Sequence, residues 1–307
     1  MVYTIYFNPT IDKTLYFDRF VFGKTNRPQQ VILDGAGKAI NVSVVLSELG
    51  VENTCIGLVK ANDGQLIRDR LEKHHVHYDF EVSPGSSRLN SKIFDEQEKV
   101  ITEINEAGEP IDPAVLSSVK KKIELLPQQG DTVIFTGSLP QGLAADTYAR
   151  LIFMLKQKGV RCVLDADGDA LKAGIAQKPF LIKPNIDELA ALMPLRGNKI
   201  SDIAECAKMV VQSGVEIVAV SMGKDGSLIT DGIDTYLAQA LDVPVRSTVG
   251  AGDSMVAGMV SGMHRGIDYA LQCGVAAASA SVTREATRLM TKEIYDEMFA
   301  KVKITKI

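Results

Sequence analysis

One glycine-rich turn has the sequence Ser247-Thr248-Val249-Gly250-Ala251-Gly252-Asp253-Ser254, and it leads from a strand-like region into an apolar helix-like run, Met255 to Met263. Small residues at a helix start leave backbone N–H groups uncovered and let a ligand come close to the main chain. The helix dipole and these amides favour an anion, particularly a phosphate. Asp253 is then either a carboxylate that caps the helix or a base that accepts the proton of an attacking hydroxyl.

Strand-like and helix-like runs alternate in the sequence before and after this turn. Short apolar runs (132–135, 160–164, 180–182 and 215–221) are separated by helical patterns at 147–158 and 203–211, and helices are predicted at about 253–264, 268–281 and 292–302. Continuous apolar strands between helices are typical of a parallel sheet with helices on both faces. We therefore predict an α/β fold with a doubly wound, mostly parallel sheet.

The first third of the chain has a different pattern, in which polar and apolar residues alternate. The alternating runs are 13–18, 27–33, 88–94 and 100–105, and a helix (39–49) and a strand (54–59) interrupt them. Alternation is typical of strands with one solvated face. We predict one domain, residues 1–307, with a small antiparallel sheet inserted at about 12–34 and 86–106.

The composition narrows the class of ligand and the compartment. The 307 residues carry 34 − 38 = −4 formal charges, so the broad basic surface of a nucleic-acid-binding protein is not expected, and an anion must be held by placed cations and amides. The four cysteines are scattered without a C-x-x-C pair, and there is no apolar run long enough for a membrane span. The apolar N-terminus lacks a basic region and predicts a strand, not a signal peptide. We expect a cytoplasmic protein.

Two further polar turns stand where predicted strands end. Asp34 to Asn41 is either an ordinary tight turn or a backbone clamp on a polyol, to which Lys38 and Asn41 donate. Asn8-Pro9-Thr10-Ile11-Asp12 follows the first strand, and ligands of doubly wound folds bind at the carboxyl ends of strands. Asp12 is either a turn residue or an acceptor for two sugar hydroxyls.

The segment Lys183 to Glu188 also leads from a strand into a helix. Asn185 and Glu188 lie on one helix face, where they can bind Mg²⁺ partly through water or form a capping box. The turn Ser221 to Gly226 is bounded by glycines, which suits the close approach of a nucleotide.

Together these motifs resemble a known family. Ser247 to Val260, around Asp253, and Ala36 to Ser43, with Gly50 beyond, are similar to the two signatures of the ribokinase-like (phosphofructokinase B type) carbohydrate kinases. Other features resemble its sugar-phosphate branch, which contains 1-phosphofructokinase and tagatose-6-phosphate kinase: Asn8-Pro9-x-x-Asp12, Asn26-Arg27, Arg88-Leu89-Asn90, Thr136-Gly137-Ser138-Leu139-Pro140 and Lys183-Pro184-Asn185.

The resemblance implies a role for each matching residue. Asp253 would be the base, with an anion hole at Gly250, Ala251 and Gly252. The sugar phosphate would be bound by Arg27, Lys38, Arg88 and Ser138, and the sugar hydroxyls by Asp12, Gly37 and Asn41. Asn90 would also bind the substrate. The nucleotide would lie against Lys183, Asn185, Ser221, Gly223 and Gly226, with Glu188 serving Mg²⁺.

The resemblance also implies a ribokinase-like fold whose antiparallel sheet is a lid over the sugar and forms a homodimer. The expected reaction is the ATP-dependent phosphorylation of fructose 1-phosphate to fructose 1,6-bisphosphate; tagatose 6-phosphate or fructose 6-phosphate are alternative substrates. A non-catalytic sensor would not need Asp253 and Glu188, and a kinase of unphosphorylated sugars would not need Arg27 and Arg88, because these cations suit a phosphate.

Three departures from the family pattern bear on the substrate. Ala39 replaces a glycine and is expected to place a methyl group near the sugar. Asp167 stands where relatives carry serine and adds negative charge on the nucleotide side. The strand end Leu58 to Ala61 lacks a common glycine.

Overall fold

A computed structural model describes residues 1–197 and 199–307. Its helices are α1 (Lys38–Glu48), α2 (Gly64–Lys73), α3 (Pro113–Leu125), α4 (Thr147–Gln157), α5 (Gly168–Ile175), α6 (Ile186–Leu192), α7 (Ile200–Gln212), α8 (Ala251–Gly262), α9 (Ile267–Val282) and α10 (Lys292–Phe299). Within these ranges, no helix has the length and apolar character needed to cross a membrane.

The strands form two sheets. They are β1 (Val2–Tyr6), β2 (Thr10–Phe17), β3 (Gln30–Ala36), β4 (Asn53–Lys60), β5 (His77–Ser83), β6 (Arg88–Asp95), β7 (Val100–Asn105), β8 (Thr132–Thr136), β9 (Arg161–Asp165), β10 (Leu181–Ile182), β11 (Ile217–Ser221), β12 (Ser227–Thr230), β13 (Thr235–Ala238) and β14 (Ile304–Lys306). The main sheet has ten strands in the order β14-β13-β12-β11-β10-β9-β8-β1-β4-β5, and the second sheet has four in the order β3-β2-β6-β7.

The main sheet is parallel from β11 to β5 and antiparallel only at its β12–β14 edge. Its central strands are apolar on both faces because helices cover both faces. In β8, Ile134 packs into one hydrophobic cluster, while Val133 and Phe135 pack into the other. The predicted doubly wound α/β fold is therefore confirmed.

The second sheet consists of two antiparallel pairs, β2–β3 and β6–β7, whose inner strands β2 and β6 pair in parallel. Both inner strands follow parallel strands of the main sheet, β1 and β5, after short connections, and therefore leave its carboxyl edge in the same direction. We call this four-stranded sheet the lid. Side chains alternate between the two faces of the lid. The side chain of Asp12 and those in register with it lie on one face, and the side chain of Leu33 and those in register with it lie on the other.

Several elements differ from the sequence prediction. The helix expected at 292–302 ends at Phe299, and the strand expected at 180–182 is reduced to Leu181–Ile182. The short hairpin β12–β13 and the edge strand β14 were not predicted. These lie at or near an edge of the main sheet, where short or polar strands lack the continuous apolar pattern of its centre.

Candidate active site

The carboxyl ends of the parallel strands bring the polar residues together. Thr136 ends β8, Asp165 ends β9 and Ser221 ends β11, while Lys183 follows β10 directly. Because these strands are neighbours in the main sheet, their last residues lie along one edge. Two more residues approach this same edge: Asp253 from the glycine turn before α8, and Lys38 from the turn before α1.

Asp165 is the buried centre of an ion network in which Lys183 is buried and Lys38 is exposed. It is 4% exposed, and its carboxylate lies 3.1 Å from Lys183 Nζ, 3.4 Å from Lys38 Nζ and 3.0 Å from the Thr136 hydroxyl that donates to it. Burial alone would raise the pKa of Asp165, but Lys183 and Lys38 lower it to about 2. The carboxylate is therefore ionised at neutral pH and holds two ammonium groups at the edge of the main sheet.

The start of α8 has the geometry of an anion site. Gly250 precedes the helix with φ 75°, and a Cβ at this position would lie 2.6 Å from Leu289 Cδ2, so both the backbone conformation and the space favour glycine. A Cβ added to Gly252 would lie 3.5 Å from Lys183 Nζ. An ammonium group thus lies beside the first turn of α8, whose N–H groups have no partner within the helix.

Asp253 lies in that first turn and is 5% exposed. Within the described ranges its recorded partner is the side chain of Asn41, whose Nδ2 donates to Asp253 Oδ2 at 2.8 Å. This contact to α1 favours the predicted base over a residue that caps its own helix. Burial raises the pKa of Asp253, whereas Lys38 and the Asn41 hydrogen bond oppose that rise. A raised pKa makes a carboxylate a better proton acceptor.

The turn before α1 is held by the ring of Tyr6. Its hydroxyl donates to the Ala36 carbonyl at 2.6 Å and accepts from the Thr10 amide at 2.8 Å. Gly37 has φ 120°, and a Cβ there would lie 2.6 Å from Tyr6 Cε2. The backbone therefore enters α1 directly over this ring, which directs Lys38 towards Asp165.

The lid contributes a second group of polar residues. Lys92 Nζ lies 2.6 Å from Asp12 Oδ2, and both side chains are buried. Asn90 is the register partner of Asp12, and its buried Oδ1 has no hydrogen-bond partner within the described residues. Arg88 Nε donates to Thr10 Oγ1 at 2.8 Å, and burial lowers the pKa of the Arg88 guanidinium. Nearby, Asn8 Nδ2 donates to Ser138 Oγ at 3.1 Å and so connects the base of the lid to the turn after β8.

The residues that are predicted to bind the nucleotide lie in two tight turns. Asn185 and Glu188 make a reciprocal capping box, in which each side chain accepts from the other's backbone N–H at 2.8 Å. Ser221 bridges to Asn185, so this helix start lies beside the end of β11. Gly226 has φ 94°, and a Cβ there would lie 2.1 Å from the Ala238 carbonyl. Gly223 is also at positive φ, so the backbone conformation favours glycine at both ends of this turn.

Not every predicted residue joins this arrangement. Arg27 is exposed in the connection between β2 and β3, and within the described ranges no recorded polar contact connects it to the other site residues. The methyl group of Ala39 is 1% exposed and packs in a hydrophobic cluster, so it lies in the core and not in an open pocket. Asp167 is exposed where α5 begins.

Three charged residues of the site were not predicted from the sequence. Asp165 could have been found, because it ends a predicted strand at the ligand-binding edge. Lys92 could also have been found, because it shares a strand face with Asn90. Arg70, which donates to Asn41 Oδ1 at 2.9 Å, gives no such signal, because a helix face alone does not identify its neighbour.

Known proteins resemble this chain over most of its length. A family model described as pfkB family carbohydrate kinase matches residues 6–294. The chain is 35% identical over 257 residues to the 1-phosphofructokinase of Rhodobacter capsulatus, covering 83% of this chain and 81% of the relative. It is 31% identical over 262 residues to a tagatose-6-phosphate kinase of Staphylococcus epidermidis, covering 84% of each.

The fold comparison extends over almost the whole chain. Phosphofructokinase-2 from Escherichia coli, solved in complex with substrates and products, matches with a TM-score of 0.93 at 26% identity, covering 98% of both chains. That protein has also been solved in a tetrameric inhibited form.

Proposed function

The chain belongs to the pfkB family of carbohydrate kinases, and on that premise we propose that it phosphorylates fructose 1-phosphate with ATP to give fructose 1,6-bisphosphate. One observation carries the proposal: buried Asp253 lies in the first turn of α8, and a Cβ on its neighbour Gly252 would lie 3.5 Å from Lys183 Nζ. This places a proton acceptor, a cation and an anion site within one short segment.

The proposed step is a direct transfer. The oxygen of the sugar hydroxyl attacks the γ-phosphorus, the bond between that phosphorus and the β,γ-bridging oxygen breaks, and ADP leaves with the bonding electrons. Asp253 takes the hydroxyl proton. The amides of Ala251 and Gly252, together with Lys183, stabilise the negative charge on the transferring group, and Gly250 gives the turn its shape. Catalysis then consists mainly of positioning and charge stabilisation.

The lid would hold the sugar phosphate. Arg88 from the lid and Lys38 from the start of α1 supply cations for the phosphate, together with the Ser138 hydroxyl. Asn90 would contact a sugar hydroxyl, because its buried Oδ1 is an acceptor without a partner in the described residues. Asp12, Gly37 and Asn41 would contact the sugar hydroxyls. Arg27 remains a proposed phosphate ligand that acts from the exposed lid connection.

The nucleotide would lie along Lys183, Asn185, Ser221, Gly223 and Gly226. Within the described ranges, no group of three or more His, Cys, Asp or Glu side chains is arranged to hold a metal ion. The capping box engages Glu188 Oε2 and leaves its other oxygen available. This donor set fits a Mg²⁺ that is held mainly by the nucleotide phosphates and water, with Glu188 as a protein contact, and the ion would neutralise phosphate charge.

We also propose a homodimer formed through the lid. Four apolar residues on the lid face opposite Asp12 are about half exposed: Val31, Leu33, Val100 and Ile104. An exposed apolar sheet face of this kind supports an interaction surface. The four cysteines are buried and unpaired, which is compatible with the proposed cytoplasmic location.

A substrate panel tests the function. ADP release is measured with fructose 1-phosphate, tagatose 6-phosphate, fructose 6-phosphate and free fructose. We expect the highest kcat/KM with fructose 1-phosphate. Tagatose 6-phosphate is the second candidate, because a tagatose-6-phosphate kinase is among the relatives at 31% identity. Absence of turnover with every phosphorylated sugar would overturn the proposal.

The variant Asp253→Asn is the matched test of the base. It keeps the shape and the Asn41 contact surface but cannot accept the proton, so we expect sugar-phosphate binding to persist while kcat falls on the order of a thousandfold. Binding is measured by calorimetry and kcat by ADP release. Unchanged turnover would place the base elsewhere.

A further inference from the structure

Arg70 of α2 lies behind the proposed base and outside every motif that indicates the family. Its side chain is half-buried, and its two terminal nitrogens make different contacts. One donates to the Gly35 carbonyl at 2.6 Å and the other to Asn41 Oδ1 at 2.9 Å. Asn41 in turn donates from Nδ2 to Asp253. A continuous hydrogen-bonded chain therefore runs from the guanidinium to the carboxylate.

The chemistry of the three groups permits one orientation of the amide. A guanidinium has only donors and an ionised carboxylate has only acceptors, whereas an asparagine side chain has one acceptor end and one donor end. If the Asn41 amide turned over, its NH₂ would face the Arg70 donors and its oxygen would face the Asp253 carboxylate. Both contacts would be repulsive, so Arg70 determines which end of Asn41 reaches Asp253.

The second contact anchors the turn that carries Lys38. Gly35 precedes this turn, and there is no space for a side chain at that position, since a Cβ would lie 2.5 Å from Ile67 Cα. Strand β3 and helix α2 thus touch through their backbones. By holding the Gly35 carbonyl, Arg70 ties α2 to the start of the Gly37–Lys38 segment and to Asn41 at once.

We propose that Arg70 is a positioning residue for phosphoryl transfer, which fixes Asn41 so that its amide donates to Asp253 and holds that carboxylate in place. This inference rests on Asp253 acting as the base of the proposed function. Arg70 itself need not touch either substrate.

A pH effect follows from the charges around Asp253. The groups that face it or Arg70 are Lys38 from α1, Lys183 after β10, Asp165 from β9, Asp12 and Asp34 from the lid, and Tyr6 from β1. The Asn41 hydrogen bond lowers the pKa of Asp253, and Arg70 adds positive charge. Removing Arg70 therefore raises the pKa of Asp253, and the acidic limb of kcat moves to higher pH.

The test compares Arg70→Met with Arg68→Met, a half-buried arginine on the same helix. For Arg70→Met we expect kcat to fall on the order of tenfold, with a smaller change in KM, and the acidic limb of kcat to rise by about half a pH unit or more. Arg70→Lys keeps the charge but not the two-pronged contact, and should recover part of both effects. Arg68→Met should leave kcat and its pH profile unchanged.

Two controls make the result decisive. In the Asn41→Ala background, Arg70→Met should shift the acidic limb less than it does in the parent, because the direct effect of the Arg70 charge remains and the effect transmitted by the amide is absent. Thermal unfolding identifies a variant that fails to fold, and Arg70→Gln then replaces Arg70→Met. A folded Arg70 variant with an unchanged kcat and pH profile, while Asp253→Asn is inactive, would overturn this inference alone. An active Asp253→Asn would instead overturn the proposed base.

Discussion

The main sheet and the lid each bring a buried aspartate–lysine pair to the candidate site, but the two regions are stabilised differently. At the centre of the main sheet, Ile134 is fully buried between two layers of helices. On the outer face of the lid, Val100 and Ile104 are 52% and 58% exposed. The residues at the edge of the main sheet are thus fixed by the core of one chain, whereas the lid carries an apolar face that another surface can cover.

The two regions also pair their buried charges differently. Asp165 at the edge of the main sheet contacts two lysines and one hydroxyl, whereas Asp12 in the lid contacts one lysine, Lys92. A buried charge that loses its partner is costly. The difference indicates that the proposed phosphate-transfer end depends on its ion network, and that the proposed sugar end depends on the lid remaining in place.

The largest expected effect comes from removing the centre of the ion network. Asp165→Asn leaves Lys183 and Lys38 without their carboxylate, so we expect the free energy of unfolding to fall by about 3–5 kcal/mol and turnover to fall with it. The pKa of Asp165 is lowered from 3.8 to about 2, so its contribution is present above pH 3.8 and is lost as pH falls towards 2. Urea unfolding across this range checks both statements.

The matched control for this variant is Asp167→Asn. Asp167 lies two residues later, is exposed, and makes no side-chain cap to α5. It should leave stability and its pH dependence nearly unchanged. Equal stability of Asp165→Asn and the parent would contradict the view that this region depends on its ion network.

A smaller effect is expected from charging the apolar face of the lid. Leu33→Lys combined with Ile104→Lys should weaken self-association by roughly a hundredfold, because two buried apolar side chains contribute about 3 kcal/mol together. Sedimentation across a concentration series measures this. Phe153→Lys, at an apolar residue of α4 that is also 58% exposed, should not change it. A parent protein that stays monomeric would refute the lid dimer.

The smallest expected effect concerns one cation of the lid. Arg88→Met should raise KM for the sugar phosphate about tenfold, because a charge-assisted hydrogen bond is lost, while kcat and KM for ATP change little. Steady-state kinetics with each substrate varied in turn measures the change. Lys121→Met, at an exposed lysine of α3 outside the lid, is the control. An equal loss of kcat would show that Arg88 acts on the chemical step and would weaken the division between the two regions.

Local patterns predicted the regular elements well. Val100–Asn105 matches its alternating pattern, and the continuous apolar runs gave the centre of the main sheet. The edges were harder to predict because short strands such as β13 and β14 owe their conformation to a neighbouring strand and not to their own periodicity.

The candidate site divides in the same way. The rule that ligands bind at the carboxyl ends of strands predicted Asp12, and glycine turns that lead into helices predicted Lys38 and Asp253. The spacing of Asn185 and Glu188 could not distinguish a capping box from a metal contact, since both need the same spacing. The structure contains the capping box. Arg70 could not be predicted, because its role depends on which residue of another helix lies opposite it.

The position of β1 has a consequence for the order in which the chain can fold. The first strand lies inside the main sheet, where Val2 is paired with Asn53 on one side and Thr132 on the other. During synthesis β1 cannot gain its second neighbour until β8 has emerged, whereas the lid needs only residues up to Asn105. Long-range pairings of this kind slow folding. The lid can therefore be complete on the ribosome before β1, at the centre of the main sheet, has paired with β8.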